Sequence, residues 1–242
     1  MYWWPTRHSC EVWSLCGACG SPSTIRSVSR RRRPSRLRCM KKRSSSGRCI
    51  IDHRVKNNLQ IVSSLLSLQA SYIQDAHIHE MFLERQSRVQ SMTLIHEALF
   101  QSEDMGHIDF GEYVRALTRQ LFQSYGIQAE RITLQICAEA ISLHINKAIP
   151  CGLILNELVS NALKHAFPAG RSGHLAIQLR ANAGQRVSLI VRDNGIGIPA
   201  GLDFRSTESL GLQLVCMLAD QLEGTLVLDR EGGTTFTLTF AP

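Results

Sequence analysis

The sequence predicts an α+β chain: a dimerising helical hairpin, forming a four-helix bundle as the dimer, followed by a two-layer α/β sandwich. Three observations carry that expectation. Two long segments free of Gly and Pro, 51–73 and 77–101, repeat apolar residues at helical spacing. Beyond residue 106, helical and strand-like patterns alternate with Gly-containing turns between them. Composition divides the chain as well. Its 242 residues carry 27 Lys+Arg and 20 Asp+Glu for a net +7, yet residues 1–49 hold twelve of the basic residues and one acid, Glu11, which leaves +11 on the tail and −4 on the rest. The expected units are a basic tail over 1–49, a hairpin over 50–106 and a sandwich over 107–242.

In the tail, Arg30, Arg31, Arg32, Arg33, Arg36, Arg38, Lys41, Lys42 and Arg43 interleave with Ser and carry no hydrophobic period, the pattern of a disordered, solvated segment. The mildly acidic remainder argues against reading the whole protein as a nucleic-acid binder. His8, Cys10, Cys16 and Cys19 form a zinc candidate, since C-x-x-C lets two thiolates reach one ion, although the second half-site is poorly spaced. The Trp, Cys and Arg usage here is also that of a misassigned start. No run approaches the roughly 18 to 20 apolar residues that span a bilayer, and the N-terminus has no signal-peptide pattern, so no membrane insertion and a cytoplasmic location are expected. Cys137, Cys151 and Cys216 sit far apart in apolar contexts, as reduced core thiols do.

In the first helix Val55, Leu59, Val62, Leu66 and Ile73 form one apolar stripe, with Ile61, Leu65, Leu68 and Tyr72 a second beside it. His53, Asn57, Gln60, Ser64, Ser67 and Ser71 recur on the remaining face, which holds the histidine at a solvent-accessible place on a rigid helix. The second helix repeats the period through Met81, Phe82, Val89, Met92, Ile95 and Leu99. Dimerisation is the simplest way to bury so wide an apolar surface.

Helices are expected over 110–123, 147–166 and 211–222, with Pro150 tolerable only near the first turn of the second. Strands are expected over 132–137, 174–180, 187–192, 226–229 and 235–240. On the long helix Glu157, Asn161, Lys164 and His165 share one face, opposite Leu155, Leu158, Val159, Ala162 and Ala166. Asn161 is a poor choice for an ordinary helix surface and suits coordination of a hard cation through its carbonyl oxygen. Asp193-Asn194-Gly195-Ile196-Gly197 leaves a strand, an acid able to accept from an amino group beside glycines that admit a ligand. Ser209-Leu210-Gly211-Leu212 opens a helix whose free N–H groups suit a phosphate, and Gly232-Gly233-Thr234 enters the last strand.

HRVKNNLQ followed by a Leu/Ser-rich amphipathic helix closely resembles the phosphoacceptor box of bacterial sensor histidine kinases of the HRxxN type, relatives of the group named for its His-Trp-Glu motif. The resemblance runs on through SMTLIHEALFQSED to Phe240. NELVSNALKHAFP, DNGIGIP and SLGLQLV resemble the N box and two glycine boxes of the ATP-binding domain shared by histidine kinases, gyrase-type topoisomerases, Hsp90 chaperones and mismatch-repair ATPases, the GHKL superfamily with its Bergerat-type fold. It implies that His53 accepts phosphate. Asp52 stands where many members carry another histidine, and Arg54 where the wider family has an acid that takes the proton. The general base is therefore unassigned, and Asp52 lies about 100° around the helix. The resemblance further implies ATP and Mg²⁺ as cofactors, with Asn161 holding Mg²⁺ and Glu157 beside it as organiser or proton acceptor. Lys164 and His165 would meet phosphate oxygens. Asp193, supported by Thr234, would accept from the adenine amino group, with Gly195 and Gly197 flanking the nucleotide and Gly211 and Leu212 presenting N–H groups. Arg54 and Lys56 are further candidates for the transferring phosphate, and Asn57, one turn beyond His53, for orienting a water.

The implied partners are a second copy of the chain and an aspartate on a response-regulator receiver domain. The tail is too short for a sensor module, so either the chain is a fragment or its input comes from a separate sensor protein docked on the hairpin. The alternative is a non-catalytic ATP-binding scaffold or switch, against which His53 on the polar face counts. A chaperone- or topoisomerase-like ATPase would need a transducer domain after the nucleotide site.

Overall fold

The computed structural model describes residues 11–12, 45–101, 106–125, 131–182, 184–207 and 209–242. The zinc candidates His8, Cys10, Cys16 and Cys19 and the Arg-rich run at 30–43 lie outside them.

Helix α1 (Ser45–Ser71) starts inside the stretch expected to be tail, upstream of the apolar pattern, with Ser residues of the kind helix starts favour. It pairs with α2 (Ala76–Gln101), whose start is capped where the Asp75 carboxylate accepts from the Ile78 N–H at 3.0 Å. Gln86 Nε2 donates to Ser67 Oγ at 2.6 Å, which sets an antiparallel register in which the residue numbers of facing positions sum to a constant. Leu59, Ser63, Leu66 and Ala70 are positions of α1 that turn inward, and Ile73 follows them just past its end. The second apolar stripe remains outward: Ile61, Leu65, Leu68 and Tyr72 are 57, 54, 55 and 78% exposed in the single chain.

The opposite side of α2 faces the remainder of the protein. Ser87, Ser91 and Ile95, one per turn, are buried, and Ile95 belongs to the same apolar core as Phe110 and Tyr113. Strand β1 (Glu11–Val12) pairs antiparallel with β3 (Ile132–Ala138), and β2 (His107–Asp109) with β4 (Ser142–His144). These two- and three-residue strands carry too few residues to show alternation, and the sequence did not suggest β1, β2 or β4. The Asp109 carboxylate caps α3 (Phe110–Ser124) by accepting from Glu112 N–H, and His144 Nδ1 caps α4 (Ile145–Asn161). Next come β5 (Gly173–Asn182), β6 (Arg186–Asp193), α5 (Leu210–Gln221), β7 (Thr225–Asp229) and β8 (Thr234–Phe240). The six-stranded sheet runs β1-β3-β5-β6-β8-β7, parallel only between β3 and β5.

Strand alternation positions the site. Val187, Leu189 and Val191 of β6 and Phe236, Leu238 and Phe240 of β8 point into the core. One further step of two in each strand brings Asp193 and Thr234 to that same buried face, and the two are register partners. Two polar residues thus end the two central apolar rows, where a ligand rather than a helix can meet them.

Two expectations need correction. The helix read as continuous over 147–166 is α-helical only to Asn161; a π turn covers Ala162–Ala166. Cys137, expected to be reduced, is disulfide-bonded, and it stands on β3, the strand that β1 joins. Cys151 and Cys216 are free, and burial pushes both thiols up. Among the described residues, no helix is long and apolar enough to cross a membrane.

Candidate functional site

A cleft of about 260 Å³ opens between α4, the β6 end and the start of α5. Asn161, His165, Asp193, Gly197, Ser209, Leu212 and Thr234 line it, so most of the polar residues singled out in the sequence meet here. Its apolar walls, which motif reading did not name, include Leu158, Val191, Ile196, Ile198, Leu202 and Phe236. An apolar slot with a few convergent polar groups is the form of a small-molecule site.

At its floor Asp193 is 6% exposed, and its Oδ1 accepts from the Gly195 N–H at 2.8 Å. Burial raises the Asp193 pKa, opposed by hydrogen bonds from Gly195 and Thr234. A flat donor such as an exocyclic amine relieves that desolvation by adding a hydrogen bond to the carboxylate. Gly195 has a steric reason: a Cβ there would stand 2.4 Å from both the Cβ and the carbonyl oxygen of Ala166, where the loop crosses the π turn. The adjoining Ile196 N–H donates to that same Ala166 oxygen at 3.0 Å.

The structure divides the residues that α-helical spacing had grouped. His165 faces the cleft, whereas the Lys164 ammonium pairs with Glu84 Oε1 of α2 at 2.5 Å and is absent from the cleft lining. Glu157 is likewise turned to the hairpin. Arg88 grips it with Nε to Oε1 at 2.7 Å and Nη2 to Oε2 at 2.8 Å, and Asn156 Nδ2 adds a bond to Oε1. Asn156 in turn accepts from Ser87 Oγ at 2.8 Å, in a buried contact. The hydrogen bond to Glu157 raises the Arg88 pKa against the opposing effect of burial. Glu157 Oε2 would meet a Cβ on Gly211 at 2.8 Å, so the glycine makes room for this carboxylate at the start of α5. Gly211 itself does not line the cleft. His53 is on α1 and its side chain lies outside the described residues, as do those of Arg54 and Lys56; Asn57 is exposed on the same helix. The sequence had left Arg88 and Glu84 unremarked, because charged residues on a helix ordinarily read as a solvated face.

Residues 51–125 match the histidine kinase family, and residues 146–242 match the family described as histidine kinase-, DNA gyrase B- and HSP90-like ATPases. The chain carries a histidine kinase core. It is 33% identical over 192 residues to the sensor histidine kinase PdtaS of Mycobacterium tuberculosis, across 78% of this chain and 38% of that relative. Blue-light-activated histidine kinase 2 of Erythrobacter litoralis is 28% identical, across 76% of this chain and 53% of its own length. The solved histidine kinase domain of Erythrobacter litoralis EL346 superposes with a TM-score of 0.62 at 25% identity, covering 79% of this chain and 89% of that one. The kinase core therefore spans well under two thirds of the length of the curated relatives it matches.

Within this kinase core the Gly195 contact yields a first prediction. Gly195→Ala is expected to force the loop off the π turn, costing about 1–3 kcal/mol of stability by overpacking and weakening nucleotide binding more than tenfold. Thermal unfolding and a fluorescent-nucleotide titration on the same sample check it; unchanged values in both would remove the steric role.

Proposed function

We propose that this kinase core autophosphorylates on His53 from ATP and then passes the phosphoryl group to an aspartate of a response-regulator receiver domain, in the cytoplasm and as a homodimer. The supporting observation is the cleft itself, in which Asp193, Thr234 and Asn161 converge at the end of the sandwich core, in one chain with a histidine on a long helix. Asp193 accepts from the adenine amino group, with Thr234 holding the carboxylate and Gly197 admitting the base. His165 and the N–H group of Leu212, at the start of the twelve-residue α5, face the phosphates. Asn161 fits a hard cation: its amide borders the cleft, and with no group of three His, Cys, Asp or Glu able to hold a metal among the described residues, phosphate oxygens would complete the shell. A Mg²⁺ held there would supply neutralisation of charge on the transferring group. A neutral imidazole nitrogen of His53 attacks the γ-phosphorus in line; the N–P bond forms as the bond to the bridging oxygen breaks, and ADP leaves. The outward stripe Ile61, Leu65, Leu68 and Tyr72 supplies the dimer face.

Incubation with γ-labelled ATP and Mg²⁺ tests the reading. Label that is acid-labile, base-stable and transferable to a receiver domain is expected; nucleotide binding without any label would favour the scaffold.

Asp193 supplies a further prediction. Asp193→Asn is expected to weaken ATP binding about 10- to 100-fold, as loss of a charge-assisted hydrogen bond does, while the apo domain keeps or gains stability. The sign follows from the raised pKa: protonation is favoured in the folded state, so the stability contribution is present at low pH and lost as pH rises through the folded pKa. ATP affinity should move the opposite way, falling on acidification from a higher pH than an ordinary carboxylate would dictate. Calorimetric titration at several pH values measures both; a pH-independent affinity would show that Asp193 is not the adenine acceptor.

A further inference from the structure

Between the Asp193 loop and α5 the chain runs through residues 198–207, and this segment is fastened to α5, β7 and β8. Leu202 and Phe204 turn inward while Asp203 and Arg205 stay exposed. The Phe204 ring stands edge to face with Phe236 of β8, the centroids 5.6 Å apart and the planes at 83°. Arg230, just past the end of β7, donates from Nη2 to the Leu202 carbonyl oxygen at 2.7 Å. Arg205 Nη2 donates to the Leu226 oxygen at 2.9 Å, which ties the segment to β7, the edge strand of the sheet. From α5, Gln213 Nε2 donates to the Thr207 oxygen at 2.8 Å. Asp203 tightens the turn between these ties: its Oδ1 accepts from the Arg205 N–H and its Oδ2 from Ser206 Oγ, each at 3.0 Å, and these bonds lower its pKa.

Two residues in these contacts, Leu202 and Phe236, line the cleft. The ties are made by protein groups alone, so this wall of the cleft takes its shape from the fold. We propose that Phe204 and Arg230 are positioning residues that hold 198–207 as a preformed wall of the cleft, in place of a lid that orders on the nucleotide. This rests on the reading of the cleft as the ATP site. Neither residue lines the cleft, so each acts through another: Phe204 through the ring of Phe236, and Arg230 through the backbone of Leu202. A segment that is loose in the free protein loses conformational freedom when a ligand binds, and that loss is subtracted from the affinity. Here the freedom is lost on folding instead. A wall in its binding-competent form only about a tenth of the time would weaken the apparent affinity about tenfold. The residues read as serving the phosphates, Asn161, His165 and Leu212, stand on α4, the π turn and α5. Loosening the wall therefore bears on nucleotide binding and leaves the transfer step alone.

The test uses the full chain and the peptide bond between Arg205 and Ser206. Trypsin has to take the Arg205 guanidinium, which the Leu226 oxygen holds, so a fastened segment resists cleavage there and a loose one does not. In the parent chain that bond is expected to be cut slowly and at the same rate, within about twofold, with and without ATP and Mg²⁺. Phe204→Ala and Arg230→Met are each expected to speed its cleavage about fivefold or more without nucleotide. In both variants ATP affinity should fall about tenfold, while the rate of labelling at saturating γ-labelled ATP stays within about twofold of the parent's. Arg230 is exposed, so its variant decides the matter if Phe204→Ala fails to fold. A parent bond cut readily without ATP and protected by it would overturn the preformed wall. So would variants of unchanged affinity, or a loss confined to the saturating rate. The two readings fail separately. A parent chain that binds no ATP overturns the nucleotide site, and its cleavage without nucleotide still reports on the ties; a parent chain that binds ATP, with variants that bind it equally well, overturns the wall alone.

Discussion

His53→Gln is expected to lose all label from γ-labelled ATP while binding the nucleotide as tightly as the parent chain. Gln is polar, of similar length and a good helix former, so α1 should be unaffected. What it lacks is a basic nitrogen lone pair able to form an N–P bond, and no positioning effect replaces an absent nucleophile. The residual signal should therefore be below about one hundredth of the parent's, as for removal of other covalent nucleophiles. The cleft residues belong to the sandwich and the register sets His53 far along the hairpin from them, so nucleotide affinity should stay within about twofold. Label persisting in the variant would mean that another residue accepts phosphate, and weakened ATP binding would mean that α1 contributes to the cleft in a way the structure does not show.

Asn161→Ala is expected to reduce labelling by about a hundredfold or more and leave the fold standing. The side chain lines the cleft and is half-buried, and its truncation removes no apolar core group. Stability should change by about 1 kcal/mol or less, as for substitutions away from packed positions. The loss falls on charge neutralisation at the phosphates. A discriminating readout is the Mg²⁺ dependence: the parent should bind ATP more tightly with Mg²⁺ than without it, and the variant should lose that difference. A variant with full labelling and unaltered Mg²⁺ dependence would refute the metal role of Asn161.

The long elements were legible because hydrophobic period is a strong signal over ten or more residues, and α2, α3 and β6 to β8 fall within a residue or two of where it puts them. The cleft was legible through its ordered motifs, which specify backbone shape as well as side chains: Gly195 answers to Ala166, and Asp193 to the alternation of β6. What stayed hidden depends on contacts between distant segments. Nothing local distinguishes Arg88, which grips a carboxylate, from Arg85, which lies over the ring of Phe82. The π turn also escaped, because propensity does not mark where a helix takes in an extra residue. Glu157 was read on the polar face of an amphipathic helix beside Asn161; it and its neighbour Asn156 are buried where Ser87 and Arg88 of α2 meet them.

That π turn brings the hairpin contact and the cleft wall within one peptide unit of each other. Lys164 pairs with Glu84 of the hairpin and His165 lines the cleft, and they are covalent neighbours. A displacement of this turn on the hairpin side therefore moves the cleft wall directly, without passing through a chain of packed side chains. The five residues Ala162–Ala166 are thus the piece of backbone that the hairpin contact and the cleft hold in common.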